Sequence, residues 1–161
     1  MGEVRRITHH INGAYWKEGS ARSGDVYNPA TGKVTAQVDF ASPELIDHGV
    51  KVAKKAQEQW AQASLAKRVQ VLFAFREILN ARKEEVAKLI TAEHGKVLSD
   101  ALGEVTRGLE VVEFACGIPH LLKGAYSEGA STNIDVYSIR QPLGVCAIIS
   151  PFNFPAMVPM W

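Results

Sequence analysis

The segment that most constrains this chain is Gly144-Val145-Cys146-Ala147-Ile148-Ile149, followed directly by Ser150-Pro151-Phe152-Asn153-Phe154-Pro155. A short apolar run bounded by turn residues reads as a buried strand, and Pro155 has the fixed φ that suits the start of a following helix. In an open α/β sheet, ligands sit in the crevice beyond the carboxyl ends of the strands. Ser150, Phe152 and Asn153 are therefore expected to face one. A single strand cannot satisfy its own backbone hydrogen bonds, and parallel neighbours need further βα units that this sequence does not contain. The chain is expected to be the front part of a larger α/β protein.

The first 40 residues read as an antiparallel β arm. Asn12-Gly13 between Ile11 and Tyr15-Trp16 is a hairpin signal, because both central residues of a type I′ turn need positive φ. Asn28-Pro29-Ala30-Thr31-Gly32 is a second turn, after which Val34, Ala36, Val38 and Phe40 alternate with polar residues as in a half-buried strand. Ser42-Pro43-Glu44 then has the chemistry of a helix start, a capping hydroxyl before Pro and an acid near the positive dipole end. Apolar spacing predicts helices from 43 to about 63, over 65–80 with Val69, Leu72, Phe73 and Leu79 inward, and over 83–94 with Val86, Leu89 and Ile90 inward. Gly95 suits the end of the third. A fourth helix, 98–116, carries Ala101, Leu102, Val105, Leu109, Val112 and Cys116 on one face, until Gly117 and Pro119 interrupt it. Residues 126–132 read as a loop or crossover and 132–141 as an extended strand.

Charge excludes a class of partners. Lys and Arg number 18 against 17 Asp and Glu, a net charge of +1, which leaves no electrostatic footprint for nucleic acid or anionic membrane. The run 145–149 is far short of the roughly 20 residues of a membrane span, and no signal-peptide core opens the chain, so a cytoplasmic address is expected. Cys116 and Cys146 sit in apolar surroundings without metal-ligand spacing, and both read as reduced core residues. His9 and His10, adjacent on an extended segment, point to opposite faces, and no metal site is expected. Gly95-Lys96 lacks the other residues of a phosphate loop and reads as a helix stop with a cation near the carbonyl end.

Ile11-Asn12-Gly13, Asn28-Pro29-Ala30-Thr31-Gly32, Glu93-His94-Gly95-Lys96 and Ser150-Pro151-Phe152-Asn153-Phe154-Pro155 occur in the order and approximate separations found at the front of aldehyde dehydrogenases. The chain resembles that family from end to end. The segment from Gly103 to Ala115, with Phe152 where many relatives carry Trp, is similar to the coenzyme A-acylating methylmalonate-semialdehyde dehydrogenases. The resemblance implies a β arm, a four-helix region, an oligomerisation strand and the first strand of a doubly wound nucleotide-binding sheet. It divides the chain into 1–123, the N-terminal part of the NAD-binding domain; 124–142, a crossover and oligomerisation strand; and 143–161, the start of the sheet. It also implies NAD as cofactor, coenzyme A as co-substrate and a homo-oligomer, with the nucleophilic cysteine and general-base glutamate lying downstream of these residues.

Four residues carry the implied site. Asn153 could donate its side-chain amide to the oxyanion formed when a thiolate attacks an aldehyde. Read from spacing alone, a turn or capping residue is the stronger reading, and the resemblance reverses that in favour of the oxyanion role. By the same resemblance, Ser150 and Phe152 contact the nicotinamide nucleotide. Arg107 can grip a substrate carboxylate with two parallel hydrogen bonds, although a surface pair with Glu104 is the ordinary alternative at its helical spacing. The expected activity is oxidation of an acidic semialdehyde through a cysteine thioester to an acyl-coenzyme A with loss of carbon dioxide, the 161 residues alone being inactive. Non-acylating oxidation of succinate semialdehyde is the nearest enzymatic alternative, and a non-catalytic assembly module the alternative of another kind.

Overall fold

In the computed structural model, which describes residues 4–161, turn chemistry sets the β region up to Phe40. Strand β1 (Arg5–Ile7) leads into a small hairpin, β2 (His10–Ile11) and β3 (Ala14–Tyr15). Asn12 at φ 54° and Gly13 at φ 77° make the hairpin turn, the left-handed pair that the sequence signal requires. Strands β4 (Ser23–Tyr27) and β5 (Val34–Asp39) are antiparallel, and Asn28 closes their turn by accepting from the amides of Ala30 and Thr31. β1 joins the far side of β5 in parallel, so the sheet order is β1-β5-β4 and the arm is mixed rather than antiparallel. The expected alternation holds only in the middle of β5, where Ala36 is buried and Val38 half-buried; Val34 and Phe40 are exposed, and the polar Asp39 faces inward. Asp39 is buried, held by the Arg6 guanidinium at 2.9 and 3.1 Å from Nε, and that pairing keeps its carboxyl below the ordinary value.

The helices begin and end where capping chemistry puts them. Helix α1 (Pro43–Gln62) starts with the Ser42 hydroxyl accepting from the Leu45 amide, and α2 (Leu65–Ala81) with Ser64 accepting from Lys67. Helix α3 (Lys83–His94) stops at Gly95, whose φ of 87° ends it in the left-handed conformation. Helix α4 (Leu98–Ala115) is the centre of the molecule, packed against α2, α3 and the short C-terminal helix α6 (Met157–Met160). α5 (Ile118–Leu121), opened by Pro119, follows the interruption expected there. The core is one cluster of Leu79, Ala87, Ile90, Ala101, Val105, Leu109 and Val112, with Ala156 and Met160 laid against it. α4 approaches α6 closely at Gly108, where a Cβ would lie 2.5 Å from Met160 Sδ and 3.4 Å from Met157 Cα.

Several expectations are corrected. Residues 145–149 form no strand and are exposed, Ile149 at 95%. The hydrogen-bond partners a central strand needs do not lie alongside them among the described residues, and an apolar run has no extended pairing of its own. Cys146, expected in the core, is exposed with them, while Cys116 is half-buried. The loop expected at 126–132 is instead strand β6 (Tyr126–Ser131), paired antiparallel with β7 (Ile134–Tyr137), a shorter strand than the 132–141 expected. Asn133 supplies the positive φ of the turn, at 59°. Phe73 and Leu89 are exposed, at the edges of inward faces that otherwise hold the expected Val69, Leu72 and Leu79 on α2 and Val86 and Ile90 on α3. No residue of α1 is buried; Ile46, Val50 and Trp60 are about half exposed.

Candidate active site

The turn that carries Phe152 and Asn153 is held against the core by two side chains from the helical region. Glu104 on α4 is fully buried. Its Oε2 accepts from Lys96 Nζ at 2.8 Å, and its Oε1 accepts from the backbone amides of Ala156 at 2.8 Å and Met157 at 3.1 Å. Lys96 follows the Gly95 stop, so its side chain leaves the end of α3 toward α4. Besides Glu104, its ammonium donates to the Asn153 carbonyl at 2.6 Å and lies 4.8 Å from the centre of the Phe154 ring. Residues 153–157 are thus tied at both ends to one ion pair.

Burial pushes the Glu104 carboxyl up, and the Lys96 hydrogen bond, the two amides and the Lys96 charge together outweigh it, leaving the group below its ordinary value of 4.5. A carboxylate with a depressed pKa stabilises the fold above the unfolded-chain value and loses that contribution as the pH falls through the folded one. Asp39, depressed by Arg6, has the same sign. Urea unfolding at stepwise lower pH is expected to show the midpoint falling once the pH drops below 4.5, and Glu104→Gln is expected to flatten that dependence. An unchanged pH profile in the variant would mean that Glu104 contributes no ionised carboxylate to the fold.

Ser150 and Phe152 line an open groove together with Asp25, Tyr27, Pro29 and His94. The Phe152 ring stacks on His94, with centroids 4.5 Å apart and planes 23° from parallel. The Asn153 side chain is exposed, and its backbone lies in a turn. Arg107 is exposed on α4, its guanidinium folded back over Gly103. It makes no pair with Glu104, whose carboxylate is already committed to Lys96, and no ion pair or hydrogen bond among the described residues joins it to Ser150, Phe152 or Asn153. The structure therefore puts Phe152 and Asn153 in one turn, with Ser150 two residues before it, and leaves Arg107 separate from their contacts.

Sequence reasoning missed Lys96, Glu104 and His94 as parts of this assembly. A signal existed for Glu104: it lies three residues after Ala101 and four before Gly108, so the helical period puts a charge inside the buried arc. Among the described residues there is no cluster of His, Cys, Asp and Glu able to hold a metal ion, and no helix is long and apolar enough to cross a membrane.

The sequence pattern of the aldehyde dehydrogenase family matches residues 16–161. The malonate-semialdehyde dehydrogenase of Listeria monocytogenes serotype 4b (strain CLIP80459) is 44% identical over all 161 residues, which make up 33% of that protein. That of Pseudomonas aeruginosa PAO1 is 44% identical over 153 residues, 95% of this chain and 31% of the relative. A crystal structure of methylmalonate-semialdehyde dehydrogenase from Oceanimonas doudoroffii superposes with a TM-score of 0.93 at 45% identity, covering 98% of this chain and 32% of that one. The chain spans about a third of the length of the curated relatives it matches, at their N-terminal part. It belongs to the aldehyde dehydrogenase family.

Proposed function

We propose that this chain is the N-terminal third of an NAD-dependent, coenzyme A-acylating dehydrogenase of malonate or methylmalonate semialdehyde. The strongest support is the identity to malonate-semialdehyde dehydrogenases along the whole chain. A Sinorhizobium meliloti 1021 structure described as a methylmalonate-semialdehyde dehydrogenase, with NAD bound, superposes with a TM-score of 0.93. In this reading, 1–123 and 143–161 belong to the nucleotide-binding domain and 124–142 to the oligomerisation arm. The exposed β6–β7 hairpin, with Tyr126, Ile134, Val136 and Tyr137 open, suits pairing within a homo-oligomer.

The residues at the groove suit a nicotinamide nucleotide. Phe152 offers a flat apolar face braced by His94, and Ser150 offers polar groups at the rim. When bound, NAD supplies the hydride acceptor. Asn153 presents a side-chain amide that is free to donate to the oxygen on which negative charge develops as a thiolate adds to the aldehyde. Arg107, exposed on α4, presents a guanidinium that can pair with a substrate carboxylate.

In the complete subunit, Asn153→Ala is expected to lower kcat about 10²–10³-fold, the effect of losing one oxyanion donor. Arg107→Met is expected to raise KM for the acidic semialdehyde and leave that for a neutral aldehyde of similar size unchanged. NADH formation is the readout, measured with and without coenzyme A. Turnover that needs no coenzyme A favours a non-acylating enzyme such as one for succinate semialdehyde, and full activity in Asn153→Ala removes the oxyanion assignment.

A further inference from the structure

The geometry points to Lys96 and Glu104 as positioning residues for Asn153: the pair fixes the backbone from which the oxyanion donor projects, and so sets the rate of the chemical step. The inference rests on the reading of Asn153 just given. The Asn153 carbonyl is held by Lys96 at 2.6 Å, and three residues later the Ala156 and Met157 amides are held by Glu104 at 2.8 and 3.1 Å. Lys96 and Glu104 are themselves joined at 2.8 Å, so both ends of the turn refer to one rigid unit on the α3–α4 junction. The Phe154 ring lies 4.8 Å from the same ammonium, a further contact between Lys96 and this turn.

Packing alone does not call for ions here. Buried ion pairs can be replaced by apolar residues of equal volume with little loss of stability. Apolar residues could not supply the directional bonds onto residues 153, 156 and 157. An oxyanion donor works only where its N–H meets the oxygen at hydrogen-bond distance, and a shift of about 1 Å in a catalytic group can cost on the order of a hundredfold in rate.

The experiment compares Glu104→Gln, Lys96→Met, Lys96→Arg and Asn153→Ala, alone and combined, in the complete subunit, with steady-state kinetics and a thermal melt for each. Gln keeps an acceptor for the two amides, and Arg keeps the charge, so neither empties the site. Glu104→Gln and Lys96→Met are expected to lower kcat about tenfold or more with KM for the aldehyde within about twofold, and Lys96→Arg to recover part of the loss. In the Asn153→Ala background Glu104→Gln is expected to have no further effect on kcat, because nothing is left to position. Amide exchange at Ala156 and Met157 reports the turn directly and is expected to quicken in Glu104→Gln. Multiplicative losses in the double variant, or kcat falling only in proportion to the folded fraction, would overturn the inference. So would unchanged kcat in Glu104→Gln and Lys96→Met while Asn153→Ala is impaired. An unimpaired Asn153→Ala instead sinks the underlying assignment of Asn153.

Discussion

Glu104→Ala is expected to lower the unfolding free energy of this chain by about 3–5 kcal/mol, the cost of removing one partner from a buried pair. The variant strands three donors at once. Lys96, whose side chain is 12% exposed, keeps a charge answered among the described residues by the Asn153 carbonyl and the Phe154 ring but by no anion, and the amides of Ala156 and Met157 lose their acceptor. Each unsatisfied buried group costs about 1–3 kcal/mol, more when charged, which is consistent with the total because relaxation and water recover part of it. Removing both ions tests the origin of the effect. Lys96→Met with Glu104→Leu is expected to be milder than Glu104→Ala, since it leaves the two amides unpaired but no uncompensated charge. The check is a urea titration read as a midpoint shift at constant slope. A double variant as unstable as Glu104→Ala would place the cost in the amides and not in the charge.

Ile90→Ala is expected to cost about 2–5 kcal/mol, whereas Leu89→Ala one position earlier is expected to stay within about 0.5 kcal/mol of the parent. Ile90 is 6% exposed in the cluster between α3 and α4, and Leu89 is 63% exposed. Ala87 and Ala101, both fully buried, keep the two helices close, so the cavity left by Ile90 cannot collapse easily. Thermal unfolding of the two variants side by side decides the matter, and equal destabilisation would contradict the stated orientation of α3.

These examples mark where the sequence is legible. Helix ends were readable because a capping hydroxyl, Pro43 and Gly95 act locally, on backbone groups within a few residues. Orientation about the axis is set by partners elsewhere. Of the large side chains at 86, 89 and 90 expected inward, Ile90 is buried and Val86 packs against the core, while Leu89 is exposed and the small Ala87 is fully buried in the cluster with α4. The run at 145–149 failed for a related reason: apolarity favours burial, but strand structure also needs a neighbour's hydrogen bonds. At the site, Ser150, Phe152 and Asn153 were legible because they share one short motif. The tie between Lys96 and Asn153 spans 57 positions and leaves no periodic trace. Glu104 was visible only as a charge out of place on an apolar face.

That tie, across 57 positions, closes a loop through the second half of the chain. Everything between Lys96 and Asn153, including α4, α5 and the β6–β7 hairpin, forms one closed loop whose mouth is the hydrogen bond from the Lys96 ammonium to the Asn153 carbonyl. The entropy of closing such a loop grows only logarithmically with length, so doubling it adds roughly 0.6 kcal/mol. The hairpin buries nothing against the core and hangs from the far side of this loop. Its length and sequence can therefore change with the groove residues keeping their places.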